Sequence, residues 1–159
     1  MPRDLQYLLD RADISDLLID YGNAIDTRDF AALERIFTAD AVIDYRATGG
    51  PRCTLAEAQA FLGQALPQFP RSQHMMANIR IRLEGECASA RTMCHNPMVM
   101  RHPDGSERVM FFSVSGTTTR CCAPPTAGAS AVAARSFATR ITTTPPHRRH
   151  SKCYYATRS

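Results

Sequence analysis

The chain lacks the features that mark membrane-spanning, metal-centred and disulfide-built proteins. No apolar run approaches the roughly 20 residues of a membrane-spanning helix, although 44% of its 159 residues are hydrophobic. Its six cysteines contain no Cys-x-x-Cys pair, and the adjacent Cys121-Cys122 lacks zinc-ligand spacing, so no metal is expected. No secretory leader pattern opens the sequence, because Arg3 and Asp4 lead straight into polar-apolar alternation. With Cys53, Cys87 and Cys94 well separated, this fits reduced thiols and a cytoplasmic location. Arg80 and Arg82 alternate without interleaved aromatics, which argues against a nucleic-acid surface. Acidic residues are missing altogether from residues 117–159.

That last absence divides the chain. The net charge of +4 suggests a basic protein, but residues 1–116 hold twelve arginines and all 15 acidic residues, a net of −3. Residues 117–159 hold six arginines and Lys152, a net of +7. The length suits one domain rather than two. The domain is therefore placed at residues 1–116, and residues 117–159 are treated as an atypical basic tail.

Within the body, Asp13-Ile14-Ser15-Asp16 predicts a helix start, with acids where the macrodipole favours them. Ile14, Leu17, Leu18, Tyr21 and Ile25 follow at helical spacing. A second helix is predicted over Phe30–Phe37, broken by Thr38-Ala39-Asp40, and a first strand over Ala41–Tyr45. Gly49-Gly50-Pro51 reads as a loop, and Thr54 with Glu57 as the capping box of a third helix ending near Pro67. From Met75 to Leu83 the period changes to two, with Ile79, Ile81 and Leu83 on one face. Glu84-Gly85-Glu86 is a turn, Cys87–Met100 a long strand in which Pro97 suggests a bulge or edge, and His102-Pro103-Asp104-Gly105 a hairpin turn before the strand Arg108–Ser115. Helices followed by an antiparallel meander make an α+β pattern.

Two segments carry chemistry. Tyr21-Gly22-Asn23-Ala24-Ile25-Asp26 with Asp29-Phe30 looks like the signature Y-x-x-A-x-D-x-x-D-[FW], and His74 to Asn78 looks like H-x-x-x-N. These motifs and the element order resemble the SnoaL-like branch of the nuclear transport factor 2-like superfamily, over about residues 5–116. The resemblance implies an α+β fold: three N-terminal helices on a curved, mostly antiparallel sheet forming a cone-shaped barrel. In its scytalone dehydratase, bile-acid dehydratase and hexachlorocyclohexane dehydrochlorinase members an Asp at the first place pairs with a His at the second. The 48-residue separation of Asp26 and His74 matches that arrangement.

By this resemblance His74 is the base and Asp26 its orienting partner. Histidine suits proton transfer near neutral pH, and a carboxylate on its other nitrogen fixes the tautomer and stabilises the imidazolium. Tyr21 or Tyr45 could donate a hydrogen bond to a carbonyl or leaving oxygen. Strand parity suggests a pocket lined by Phe61, Met76, Met98, Met110 and Phe112, with His95 as a second cavity histidine, suited to a hydrophobic or aromatic small molecule. The implied function is a cofactor-independent lyase of the dehydratase type acting in a homo-oligomer, dimer or trimer. An isomerase or polyketide-cyclase-type enzyme in the same cavity, or a ligand-binding module, is the alternative, because one fold hosts many functions. Without the resemblance, Asp26 reads as a surface acid, His74 as a partly exposed histidine and the tyrosines as packing residues.

After Gly116 the family pattern continues with strands of the type G-x-Y-x-D and D-G-W-R-I, whereas this chain gives Thr117-Thr118-Thr119-Arg120 and, later, Pro125-Thr126-Ala127-Gly128-Ala129-Ser130. Codons for Thr, Ala, Gly and Pro are fixed in their first two bases. Reading the Pro125–Ser130 codons one base earlier gives NAC, NGC, NGG, NGC and NTC, which can encode Asp-Gly-Trp-Arg-Ile. The expectation is a one-base change near Gly116 that leaves the last strands degraded or replaced; the alternative is a genuine basic tail. The nucleotide sequence around the Gly116 codon tests this. The shifted frame should carry the Trp codon without an early stop, and a frame-restored chain should melt at a higher temperature. A stop in that frame, or equal melting midpoints, contradicts it.

Overall fold

The computed structural model describes residues 4–84, 87–122 and 141–143. Helix α1 spans Leu5–Thr27 and begins about two turns ahead of the expected start, because the Asp4 side chain caps it by accepting from the Tyr7 amide. Its inward stripe is the expected one: Ile14, Leu18 and Ile25 are buried. Leu5, Leu8 and Leu9, on the added turns, are exposed.

A 3-10 turn over Phe30–Ala32 leads into α2, Leu33–Ile36, and strands β1, Ile43–Asp44, and β2, Arg52–Cys53, form a short antiparallel pair around the Gly49–Pro51 loop. Helix α3, Leu55–Ala65, opens on the predicted capping box. The Glu57 amide donates to Thr54 Oγ1, and the Glu57 carboxylate accepts from the Thr54 amide at 2.8 Å. These helices and β1 enclose the main core, with Ile25, Leu33, Ile43 and Ala58 essentially solvent-free. At the other end of α1, Ile14 and Leu18 pack on Ile81, Ala88 and Ala90 of the sheet.

The sheet is built from β3, Arg71–Ser72; β4, Met75–Glu84; β5, Cys87–Arg101; β6, Glu107–Cys122; and β7, Ile141–Thr143, with β1 and β2. The path runs β2-β1-β7-β6-β5-β3, and β4 pairs with β5 on the same side as β3. All pairings are antiparallel except β1 with β7. The class is α+β, as expected, but the described strands do not close a barrel. The sheet stays open, with the two-residue β2 at one edge and β3 and β4 at the other.

Strands β3 and β4 are one strand interrupted at Gln73–His74. The register Ser72↔Met98 on one side and Met75↔His95 on the other leaves Gln73 facing Pro97 and His74 facing Asn96. Proline has no N–H to give the ladder, so the interruption falls where the ladder would be incomplete. The Gln73 amide still reaches the Pro97 carbonyl at 3.2 Å. Bulges lie elsewhere, between Ala77 and Arg80 and between Thr92 and Met93. At the first, Asn78 adopts φ 52° and the fully buried Thr92 bonds the Ala77 carbonyl at 2.9 Å. The extra residue changes the parity, so that Met76 and Ile81 both face the helices.

The expected turn at Glu84-Gly85-Glu86 lies in part outside the described residues. Beyond Gly116, β6 continues to Cys122 and residues 141–143 take a strand position between β1 and β6. The remainder of the tail reading, including Pro125–Ser130, lies outside the described residues.

Candidate active site

The site forms where α1 crosses the break between β3 and β4. Gly22 makes the crossing close: a Cβ there would lie 3.1 Å from His74 Cβ. One turn later Asp26 turns its carboxylate onto residues 72–74. Its Oδ1 accepts from the Ser72 hydroxyl at 2.7 Å and lies 2.7 Å from His74 Nδ1; its Oδ2 accepts from the His74 amide at 2.6 Å. That amide is available because Gln73 makes the bond to β5, so the amide of His74 points out from the sheet edge. Burial pushes the Asp26 carboxyl up, but the hydrogen bonds from His74 and Ser72 outweigh it and hold the acid below its ordinary value. An ionised Asp26 makes Nδ1 the protonated nitrogen of a neutral His74.

Nε2 of the same ring lies 2.9 Å from Asn96 Nδ2, the cross-strand neighbour. With Nδ1 carrying the proton, Nε2 is the acceptor and the Asn96 amide donates to it. Both residues line a cavity of about 370 Å³. Its walls are mostly apolar, with Leu18, Ile25, Phe61, Leu62, Phe69, Met76, Met98 and Phe112 around one polar end. Tyr21 and Tyr45 complete that end, their hydroxyls 3.2 Å apart and the Tyr21 ring edge-on to His74 at 6.4 Å. Burial pushes the Tyr21 hydroxyl to about 12, and burial together with Tyr21 pushes Tyr45 well above the ordinary tyrosine value. Burial and the Asp26 carboxylate likewise raise the Cys94 thiol, also in the lining, to about 11.

Of the residues expected here, His74, Tyr21, Tyr45, Phe61, Met76, Met98 and Phe112 line the cavity, and Asp26 touches it through His74. His95 does not: it is exposed on the opposite sheet face, its ring stacked on Phe111 at 5.7 Å. Parity decides this, since successive strand residues face opposite sides and Asn96 shares the inward face with Met98. Met110 stands opposite Met98 and is half-buried, but outside the lining. Sequence reasoning missed Asn96, and the even-numbered run Met98, Met110, Phe112 was the signal that could have found it.

A helix-borne carboxylate thus holds the histidine of the β3–β4 break at the polar end of an apolar cavity. Residues 6–120 match the model of the SnoaL-like domain, and the chain belongs to that family. Uncharacterized protein Rv2910c of Mycobacterium tuberculosis is 48% identical over 90 residues, 57% of this chain and 61% of the relative. The chain thus spans under two thirds of the length of the curated relatives it matches. Among solved structures, hexachlorocyclohexane dehydrochlorinase LinA-type3 from Novosphingobium barchaimii is similar with a TM-score of 0.66 at 18% identity, over 92% of this chain and 97% of that one. A nuclear transport factor 2-like superfamily protein from Salmonella enterica gives 0.61 at 16% identity, over 90% and 96%. At these identities the likeness is one of fold.

The tyrosine pair sets a pH dependence. Both hydroxyls keep their protons in the folded chain above pH 10, where unfolded tyrosines lose them. Stability is therefore full below pH 10 and falls as pH rises toward about 12, the folded Tyr21 value. Denaturant melts at pH 8 and pH 11 should show that loss, and Tyr21→Phe should lessen it; an equal loss in the variant contradicts the assignment.

Proposed function

We propose that the chain catalyses a cofactor-independent elimination of the dehydratase type on a hydrophobic or aromatic small molecule. The reading rests on the 2.7 Å contact of His74 Nδ1 with the Asp26 carboxylate, in a ring whose other nitrogen belongs to an apolar cavity. Asp26 leaves the Nε2 lone pair as the base. Substrate binding displaces the Asn96 amide from it, and Nε2 takes a proton from the carbon next to the one bearing the leaving group. The C–H electrons form the double bond, and the carbon–oxygen bond breaks.

The imidazolium is stabilised by the carboxylate on Nδ1 and returns the same proton to the departing hydroxyl as water. Protons and electrons then balance without a further donor. Tyr21, pushed to about 12, and Tyr45, held well above the ordinary tyrosine value, are poor proton donors at neutral pH. Their part is to hydrogen-bond the leaving oxygen or an activating carbonyl. An apolar wall strengthens each of these interactions by excluding water. An isomerase would share the first proton transfer and differ in returning the proton to carbon.

The test is a panel of apolar β-hydroxy carbonyl compounds, followed by the absorbance of the conjugated product. Asp26→Asn should lower turnover about 10²- to 10⁴-fold while cavity binding persists. Undiminished turnover in that variant overturns the reading.

The expected homo-oligomer belongs to the same proposal. Met75, Met93, Val109 and Phe111 are exposed, and strand parity puts them on the sheet face away from the cavity, a patch that a second copy of the chain would cover. Sedimentation should give a dimer or trimer and a monomer for Phe111→Asp. A monomeric parent chain contradicts this.

A further inference from the structure

We propose that Arg28 is the positioning residue of the Asp26–His74 dyad: from the end of α1 its guanidinium ties the helix to the segment ahead of β4 and commits the Ser72 hydroxyl to Asp26, keeping the Nδ1 proton of His74 on the carboxylate. The inference rests on the dyad reading above and adds a residue to it.

Arg28 caps α1 in the left-handed region, at φ 63° and ψ 20°. Helices commonly end on such a residue, and it is usually glycine, which has no Cβ to clash. A side chain kept in that conformation needs a use, and this one has three partners. Nη1 donates to the Ile25 carbonyl at 2.6 Å and to Ser72 Oγ at 3.0 Å, and Nη2 donates to the Phe69 carbonyl at 2.6 Å. One cation thus joins the last turn of the helix carrying Asp26 to the segment leading into His74.

The contact with Ser72 also has a direction. A guanidinium only donates, whereas a hydroxyl has one proton to give. With Arg28 donating into its lone pair, Ser72 spends that proton on Asp26 Oδ1, 2.7 Å away. Left unbonded to Arg28, the hydroxyl could rotate and point its proton elsewhere. Asp26 would then lose a donor, and the helix end would be free to shift relative to residues 72–74. His74 would lose the fixed acceptor that selects its tautomer.

The experiment reads the tautomer directly, by nitrogen NMR of the full chain labelled in its five histidines, at pH 8, with His74→Gln giving the assignment. The wild type should show one Nδ1–H pattern for His74. Arg28→Gly removes the clamp while suiting the backbone conformation. It should show both tautomers in exchange, with Nδ1–H exchange at least about tenfold faster, the loss of one ordinary hydrogen bond. Ser72→Ala leaves the bonds to Ile25 and Phe69 in place and should move the pattern the same way; it decides alone if Arg28→Gly does not fold. A wild-type pattern in Ser72→Ala, or in a folded Arg28→Gly, overturns the proposal. Asp26→Asn separates the two readings. If it alone loses the pattern, the dyad stands and Arg28 is only a cap; if it too keeps the pattern, the dyad fails and the proposal with it.

Discussion

The Asp26 carboxylate accepts hydrogen bonds from the Ser72 hydroxyl, the His74 amide and the His74 ring, all from one three-residue segment. Hydrogen bonds to a charged group are worth about 1.5–3 kcal/mol each, so this carboxylate couples the helix layer to the sheet as well as serving the ring it touches. The coupling needs a free backbone amide at residue 74, and the alternation of an antiparallel ladder provides one, because Gln73 bonds to Pro97 and the next amide points away from β5. With β3 and β4 at the edge of the sheet, no further described strand takes that amide, and Asp26 does. The open edge of the sheet and the orientation of the histidine are thus one feature.

The cavity follows from the same crossing. Gly22 lets α1 lie against His74, and the interrupted strand passes beneath the helix with His74 and Asn96 facing each other across the β5 pairing. Tyr21, Tyr45, His74 and Asn96 gather at that end. A pair of tyrosine hydroxyls, a carboxamide and an imidazole face walls of Leu, Ile, Met and Phe. Such a pocket orients a largely apolar molecule by its few polar atoms, and the raised tyrosines keep the polar end uncharged apart from Asp26.

Much of this was legible in the sequence, and the failures have physical causes. The capping box at Thr54, the inward stripe of α1 and the meander follow from local chemistry. The pairing of Asp26 with His74 depended on a family resemblance, because no local rule joins residues 48 positions apart. The start of α1 was misplaced because the Asp13 cluster imitates a first turn, while Asp4 is the true cap. Strand β2 is two residues long and carries no period. His95 drew notice as a histidine, although parity gave its neighbour Asn96 the inward position. Arg28 offered no signal at all: its duty depends on a left-handed backbone and on where Ser72 arrives.

The central claim is that His74 performs the chemistry and does not merely line the pocket. Its most direct test is ligand affinity and turnover of His74→Ala measured side by side on the same β-hydroxy carbonyl substrate. The account predicts a Kd within about tenfold of the parent, since the cavity's apolar walls supply most of the binding, and turnover lower by at least about 10²-fold. Turnover that survives the substitution would contradict it.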